Sequence, residues 1–298
     1  MYIQCKKGEN NMPVNDDLGK RMKENYEQIS KTKLMRRCPV VLRIDGRAFH
    51  TFCRSFNKPF DDILIKTMQD TMKYLCENIE GCVLGYTQSD EISLLLIDYK
   101  KLDTAAWFDY EVQKLCSISA SMATLAFNKF FYDNVEFSFQ EECAKINEKI
   151  TNKEINSEEA EPMFDKLEDE YYDKYYSKYN KAMFDSRCFN IPKEEVTNYF
   201  YWRQLDATRN SIQMVGQANF SHKELQNKSC NDIQNMLLTE KDINWNDLIT
   251  YKKRGSCCVK KEYAQDDITR TKWVVDKNIP IFKGEDRHYI DDLVFVGE

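Results

Sequence analysis

A chain of 298 residues, 42% hydrophobic and 31% charged, is long enough for one large domain or two modest ones and too apolar to be disordered. No apolar run approaches a membrane span, and the opening residues, with Lys6, Lys7 and Glu9, show neither a signal-peptide core nor a transit pattern, so a cytoplasmic protein without membrane contact is expected. The net charge of −6 is local: 12 acidic and 6 basic residues lie between Gln140 and Asn180, and outside that segment the totals of 49 and 43 fall to 37 of each sign, with basic clusters at Arg36-Arg37, Lys252-Lys253-Arg254 and Lys260-Lys261 that leave a nucleic-acid partner open.

The first 37 residues read as a helical segment, with Leu18, Met22, Tyr26 and Ile29 at the spacing of one helix face. A core is expected over residues 38–139. It starts with the apolar run Pro39 to Ile44, a buried strand that ends in the turn Asp45-Gly46. Pro59 breaks the chain, Asp61 and Asp62 favour a helix N-terminus, and Ile65, Met68, Met72, Leu75 and Ile79 give a helical face that Gly81 stops. Cys82 to Tyr86 and Ile92 to Ile97 are strands separated only by Thr87 to Glu91, which predicts an antiparallel hairpin. A second long helix follows from about Tyr110 to Tyr132, and Val135 to Phe139 and Arg187 to Ile191 are candidate strands.

This order is the split βαβ arrangement, so the expected class is α+β: a polymerase-palm-like core of antiparallel sheet with helices on one face. Nucleotide cyclases and many modules without catalysis share the topology. Residues 140–185 read as an acidic, helical insertion. Its Tyr171, Tyr172, Tyr175, Tyr176 and Tyr179 are expected to pack on the body or on another subunit, since the surrounding carboxylates oppose stacking on RNA. Residues 186–216 return to the core, and 217–298 are expected to be a C-terminal helical region with a basic tail. The 11 cysteines lack paired C-x-x-C knuckles and there are 3 histidines, which excludes the usual zinc patterns and fits free thiols in a reducing compartment.

Two features carry chemistry. Asp45 closes a buried strand and is followed by Gly46, which lets the backbone approach a phosphate or offer its carbonyl to a metal. Gln88-Ser89-Asp90-Glu91 places acids at the hairpin tip, and the split βαβ topology sets that tip beside the end of the first strand. Two carboxylates brought together repel unless a cation lies between them. Mg²⁺ takes one or two carboxylates plus phosphate oxygens, and a pair of such ions suits in-line phosphoryl displacement.

The run Arg43-Ile44-Asp45-Gly46-Arg47-Ala48-Phe49-His50-Thr51-Phe52, with Lys58-Pro59, Gln88-Ser89-Asp90-Glu91 and Tyr201-Trp202-Arg203-Gln204 followed by Asp206, resembles the active-site motifs of the histidine-tRNA guanylyltransferase family. The resemblance implies a palm enzyme that adds nucleotides to the 5′ end of RNA with two Mg²⁺ ions and ATP or GTP, commonly as a homotetramer. It implies catalytic roles for Asp45, Asp90 and Glu91, with Asp45, Asp90 and the Gly46 carbonyl on the metal. Arg43, Gly46, Arg47, Ala48, Phe49, His50, Lys58, Ser89, Asp90 and Lys114 would lie around the nucleotide. Trp202, Arg203, Gln204, Asp206, Arg209 and Asn210, with Lys252, Lys253 and Arg254, would meet the RNA.

Two departures refine this. Guanylyltransferases proper follow the Trp-Arg-Gln motif with His-Ile-Asn-Asn-Leu-Tyr-Asn, whereas this chain has Thr208-Arg209-Asn210-Ser211-Ile212-Gln213-Met214, which resembles the polymerase-like branch that repairs RNA 5′ ends against a template. The family's basic pair after Trp107-Phe108 is also replaced by Asp109 and Glu111, with only Lys114 retained. The leading expectation is a template-dependent 3′-to-5′ RNA polymerase acting on truncated tRNA. The alternatives are addition of one untemplated G to histidine tRNA, a nucleotide cyclase, or a non-catalytic RNA-binding module.

Overall fold

The computed structural model describes residues 16–265 and 268–297, so the readings made on Lys6, Lys7 and Glu9 lie outside the described residues. In chain order the elements are α1 (Asp17–Met22), β1 (Val40–Gly46), α2 (Phe49–Phe52), α3 (Asp62–Asn78), β2 (Cys82–Gln88), β3 (Glu91–Leu96), α4 (Val112–Thr151), α5 (Ser157–Lys174), β4 (Phe184–Asn190), α6 (Lys193–Asn219), α7 (His222–Leu225), α8 (Cys230–Lys241), α9 (Thr250–Arg254), β5 (Ser256–Gln265), β6 (Ile268–Asp276) and α10 (His288–Val294). No described helix is long and apolar enough to cross a membrane.

The strands form one sheet in the order β4-β1-β3-β2-β5-β6, every neighbouring pair antiparallel. The first four strands are the split βαβ core that the element order predicts. In β1, Val40, Val41, Leu42 and Ile44 are all fully buried, so the strand is covered on both faces. One face carries α3 and α4: Val40, Leu42 and Ile44 join Met68, Met72, Leu75, Phe127 and Phe131 in a single core. The opposite face is covered as well, which goes beyond the expected single helical layer. There Val41, Leu84, Tyr86 and Leu95 pack on Val196 and Phe200 of α6 and on Ile290 and Val294 of α10.

The helix starts and stops follow from local chemistry. The Asp61 carboxylate accepts a hydrogen bond from the Leu64 amide at 2.9 Å and so caps α3, with Asp62 in its first turn. Gly81, at φ +76°, reverses the chain into β2.

Three expectations are corrected. Val135–Phe139 is not a strand. It lies within α4, where Phe127, Phe131 and Val135 recur at i, i+4 and are fully buried, so packing at helical spacing overrides the β preference of the local residues. The acidic segment is therefore not a separate insertion throughout: it comprises the far end of α4 and α5, a helical hairpin folded back on the body. The C-terminal region also contains the hairpin β5–β6, which extends the sheet beyond β2. The face of Leu18, Met22, Tyr26 and Ile29 is exposed in the single chain.

The tyrosines of the acidic segment pack on the body, as their spacing predicts. Tyr175 is 2% exposed and lies against Phe56 and Phe131; its hydroxyl donates to Asp61 at 2.8 Å and accepts from Asn57 Nδ2 at 3.0 Å. Tyr171 packs on Phe139 and exchanges a 2.8 Å hydrogen bond with Ser138. Only Tyr172 of the group points clearly to solvent. Tyr175→Ala is expected to lower stability by about 3–5 kcal/mol, because it opens a cavity in this aromatic cluster and removes a partner of the α3 cap. Urea unfolding monitored by far-UV circular dichroism checks it, and an unchanged midpoint would show that the segment merely rests on the surface.

Candidate active site

Antiparallel register sets residues that are directly opposite on the same face, with Cβ atoms about 5 Å apart. Asp45 of β1 lies opposite Glu91 of β3 on one side and Asp185 of β4 on the other. Behind this row of acids runs a second, Arg187, Arg43 and Ser93. The Ser89-Asp90 turn joins β2 to β3, with Ser89 at φ +51°. It is tied to the end of β1 by the Gly46 amide, which donates to the Asp90 carbonyl at 3.0 Å. Any side chain at Gly46 would collide with the Phe49 ring, since a Cβ there would lie 2.3 Å from it. Two distant sequence motifs thus meet through one backbone hydrogen bond.

The three acids of the row and its neighbour Asp90 have different surroundings. Glu91 is 4% exposed and held by two arginines. Arg203 Nε donates to its Oε1 at 2.7 Å and Arg203 Nη2 to its Oε2 at 2.8 Å, while Arg43 Nε reaches Oε2 at 2.9 Å. Asp185 pairs with Arg187 at 3.3 Å. Among the side-chain donors of the described residues, Asp90 accepts only from its neighbour Ser89, at 3.0 Å. Burial pushes the Asp90 carboxyl above the usual carboxylate range, and the charges of Asp45 and Glu91 push the same way against the Ser89 hydrogen bond. Asp45 and Asp90 are therefore the two acids left to bind something positive.

Among the described residues no group of three or more His, Cys, Asp or Glu forms a metal cage. Two carboxylates beside the Gly46 backbone make an incomplete oxygen set of the sort Mg²⁺ completes with phosphate oxygens and water. The donor set fits the implied ion, with Asp45, Asp90 and the Gly46 carbonyl as the residues that would hold it.

A cleft of about 410 Å³ opens beside Asp90, a size within the range of small-ligand sites. Its lining includes His50, Arg54, Lys58, Ser89 and Asp90, so cationic side chains line the same space as the carboxylate turn. A polyphosphate suits such a space, with its charge met by the bases and its metal by the acids. A second, more apolar cleft on the other side of Ser89 is lined by Gln88, Asn210, Met214, Tyr251, Lys252 and Lys253.

Of the residues expected at the nucleotide, His50, Lys58, Ser89 and Asp90 come together in the first cleft. Arg47 and Ala48 are exposed on the connection to α2, Ala48 in the left-handed conformation. Packing gives the remaining residues other surroundings. The Phe49 ring borders the cleft but is 3% exposed among Phe52, Phe127 and Phe184, which makes it a core residue. Arg43 is engaged by Glu91, and its guanidinium stacks on Trp202. Lys114 lines neither cleft; it lies over Phe108 and 3.9 Å from Glu111. Glu91, expected among the catalytic acids, is an anchor whose oxygens are taken by arginines.

The residues expected to meet RNA divide in two. Trp202 and Arg209 are more than half exposed, and Asn210 lines the second cleft. Arg203 is 4% exposed and fully committed to Glu91 and Asp206. Burial disfavours its charge, but those carboxylates outweigh that and hold the guanidinium above its usual pKa. Gln204 is buried and ties the C-terminal segment down, donating to the Pro280 carbonyl at 2.8 Å and accepting from the Phe282 amide at 3.1 Å. Asp206 bridges Arg203 and Arg209. Lys252 pairs with Asp62 at 2.7 Å and Lys253 donates to the Asn246 carbonyl at 2.5 Å, so both are partly spent on the fold. Arg254 lines neither cleft, and its carbonyl accepts from Tyr86 at 2.8 Å. Sequence reasoning missed Arg54 and Asp185. Arg54 follows the Phe49–Phe52 turn and has no marker of its own, and Asp185 becomes visible only once the register of β4 is known.

Residues 19–192 match the family model described as Thg1, tRNAHis guanylyltransferase. A bacterial tRNA(His) guanylyltransferase-like protein solved in complex with ATP is 39% identical, with a TM-score of 0.72, over 94% of this chain and all of that one. A bacterial like-protein in complex with GTP is 37% identical over the same shares, with a TM-score of 0.70. The tRNA(His) guanylyltransferase of Debaryomyces hansenii is 26% identical over 247 residues, 78% of each chain.

Removing Arg203 would leave the buried Glu91 with a single arginine, Arg43, and the longer Ser93 hydroxyl contact. Arg203→Ala is expected to cost about 3–5 kcal/mol of stability, and Arg203→Lys should recover only part, since a lysine cannot reproduce the bidentate fork. Denaturant midpoints of the two variants decide this, and equal midpoints for wild type and Arg203→Ala would contradict it.

Proposed function

The chain belongs to the tRNAHis guanylyltransferase family, and on that premise we propose that it is a nucleotidyltransferase that extends the 5′ end of tRNA in the 3′-to-5′ direction, selecting each nucleotide by pairing with the opposing strand. The observation that carries the enzymatic reading is the junction of the Asp45-Gly46 strand end with the Ser89-Asp90 turn, where the Asp45 charge bears on Asp90, beside a cleft lined by His50, Arg54, Lys58 and Ser89. A non-catalytic module has no use for two carboxylates that raise each other's cost.

In this reading the cleft holds a nucleoside triphosphate, with the bases bearing on its phosphates and Ser89 fixing the Asp90 carboxylate. ATP first adenylylates a 5′-monophosphate on the RNA, the phosphate oxygen attacking the α-phosphorus and pyrophosphate leaving, and the 3′-hydroxyl of the incoming nucleotide then attacks the activated 5′ phosphorus, expelling AMP. Asp45 and Asp90 would hold two Mg²⁺ ions, which when bound supply the positive charge that such a transfer develops a need for. The second cleft and the exposed Trp202 and Arg209 lie where RNA would approach. A homotetramer belongs to the same reading, and the exposed face of Leu18, Met22, Tyr26 and Ile29 is surface available to a neighbouring subunit.

The templated mode rests on Thr208. Thr208, half-buried on α6, offers neither a ring for stacking nor a titratable proton where guanylyltransferases proper carry histidine. Addition of a single untemplated G to histidine tRNA is the second reading, favoured by the name of the family model and of the fungal relative.

A set of 5′-truncated tRNAs in which the base opposite the missing position is varied separates the two. The favoured incoming nucleotide should follow the opposing base, and several tRNAs should serve. Addition of G whatever the opposing base, to histidine tRNA alone, would establish the second reading. Asp45→Asn and Asp90→Asn should each lower addition by about 10³-fold while the fold persists; turnover near wild type in either would remove that residue from the site.

A further inference from the structure

The cysteines of the described residues are all free thiols, and they differ in what can reach them. Cys76, Cys82, Cys257 and Cys258 are buried, each at 4% exposure or less, so an oxidant meets them only after the core opens. Cys38, Cys53, Cys143 and Cys230 are half-buried, and none of them has a hydrogen bond to a second thiol among the described residues. Cys116 and Cys188 combine access with proximity. Both are half-buried, and the Cys116 thiol donates to Cys188 Sγ at 3.6 Å.

The contact follows from the fold. Cys188 lies in β4 opposite Leu42 of β1, and alternation along the strand puts Phe184, Ser186 and Cys188 on one face. Leu42 and Phe184 belong to the core beneath α3 and α4, so this is the face that α4 covers. Cys116 is in the second turn of α4, and one turn further on Ser119 donates to Ser186 at 2.8 Å. Two matched pairs, one of thiols and one of hydroxyls, thus hold the helix on the strand. The Cys188 thiol is completed by the Val112 carbonyl, to which it donates at 3.9 Å. Bonded sulfurs lie about 2.0 Å apart, so the pair must close by roughly 1.5 Å. As the outermost strand of the sheet, β4 is bound to β1 alone and has room for such a shift.

We propose that Cys116 and Cys188 form a site of reversible oxidation, at which a peroxide converts the two thiols into a disulfide that staples α4 to β4. The proposal does not depend on the reaction assigned to the active site. The Cys116 sulfur takes one oxygen from hydrogen peroxide, giving a sulfenic acid and water. The Cys188 sulfur then attacks the Cys116 sulfur, the S–O bond breaks, and the departing hydroxide takes up the Cys188 proton as a second water. The two thiols together lose two electrons, and the peroxide gains them. Burial and the adjoining Cys116 thiol push the Cys188 thiol up to about 12, which keeps it protonated and assigns the first oxidation to Cys116.

The bond closes a loop that holds most of α4 and all of α5, the helical hairpin that carries the acidic segment. A cross-link at the base of that hairpin restricts its unfolded states and fastens it to the sheet. It does so on the face of β4 opposite to Asp185 and the row of acids that includes Asp45. In a reducing compartment a bond of this kind forms under oxidant and is undone by cellular thiols.

The test uses the full chain, reduced, freed of reductant and exposed to a small excess of hydrogen peroxide at neutral pH. It is then alkylated with N-ethylmaleimide and digested for peptide mass mapping. A peptide pair joined through Cys116 and Cys188 should appear in wild type, should vanish on treatment with dithiothreitol, and should be absent from Cys116→Ser and Cys188→Ser. The urea midpoint of the oxidised wild type should exceed that of the reduced protein by roughly 1 M, a gain that neither serine variant shows. Absence of the joined pair from oxidised wild type would overturn the proposal. So would conversion of Cys116 to a sulfinic acid without cross-linking, or a bond among Cys76, Cys82 and Cys258 in place of the expected one. A joined pair found only in covalent dimers on a non-reducing gel would overturn it as well, as would a cross-link that leaves the midpoint unchanged.

Discussion

Glu91 is a carboxylate in the interior of the sheet, and the architecture around the candidate active site depends on how it is neutralised. Arg43 comes from the same strand as Asp45, two residues before it, and Arg203 comes from α6 on the covering layer. Each oxygen of Glu91 receives an arginine donor, so the residue that follows Asp90 is fixed in position and direction. A buried charge left with one partner costs several kcal/mol, and the geometry is therefore strongly determined. The consequence for chemistry is indirect but definite. The backbone on both sides of the Ser89-Asp90 turn is held, by this clamp on one side and by the Thr87 hydroxyl donating to the Glu91 carbonyl at 2.9 Å on the other. Asp90, on which the Asp45 charge bears, has no arginine of its own among the described residues.

This arrangement assigns different work to acids that look alike in sequence. Asp90 and Glu91 are adjacent, yet Asp90, in the turn, lines the cleft, while Glu91, the first residue of β3, is bound by Arg203 of α6. The same division occurs on α6. Trp202 and Arg209 face solvent, while Arg203 and Gln204 are buried, one holding Glu91 and the other holding the C-terminal segment at Pro280 and Phe282. The Trp-Arg-Gln stretch thus links the strands of the candidate site to the last layer of the fold rather than exposing all of its side chains.

What was legible in the sequence was what depends on local chemistry. The apolar run ending in Asp45-Gly46, the Asp61 cap, and the short connection carrying Asp90 each announce themselves within a few residues. The α4 extension was misread because Val135 to Phe139 looks like a strand in isolation, although Phe127, Phe131 and Val135 at four-residue spacing carried the helical signal. The inward direction of Arg203 was equally available, since Val196, Phe200, Arg203 and Ala207 recur at three and four residues and all are buried. Asp185 was not legible, because its place beside Asp45 is a matter of strand register between distant segments. The β5–β6 hairpin was hidden for a different reason: its lysines and threonines interrupt the apolar positions, and the half of it away from β2 is largely exposed.

The central claim is that Asp45 and Asp90 act as one cation-binding pair in the presence of a nucleotide. Mn²⁺ binding can be followed by electron paramagnetic resonance in the presence of ATP, on the wild-type chain and on the single and double asparagine variants at positions 45 and 90. The account predicts that wild type sequesters Mn²⁺ with ATP, that either single substitution removes most of that binding, and that the double variant is little worse than either single one. Independent, additive losses, or retention of Mn²⁺ by a single variant at the wild-type level, would contradict it.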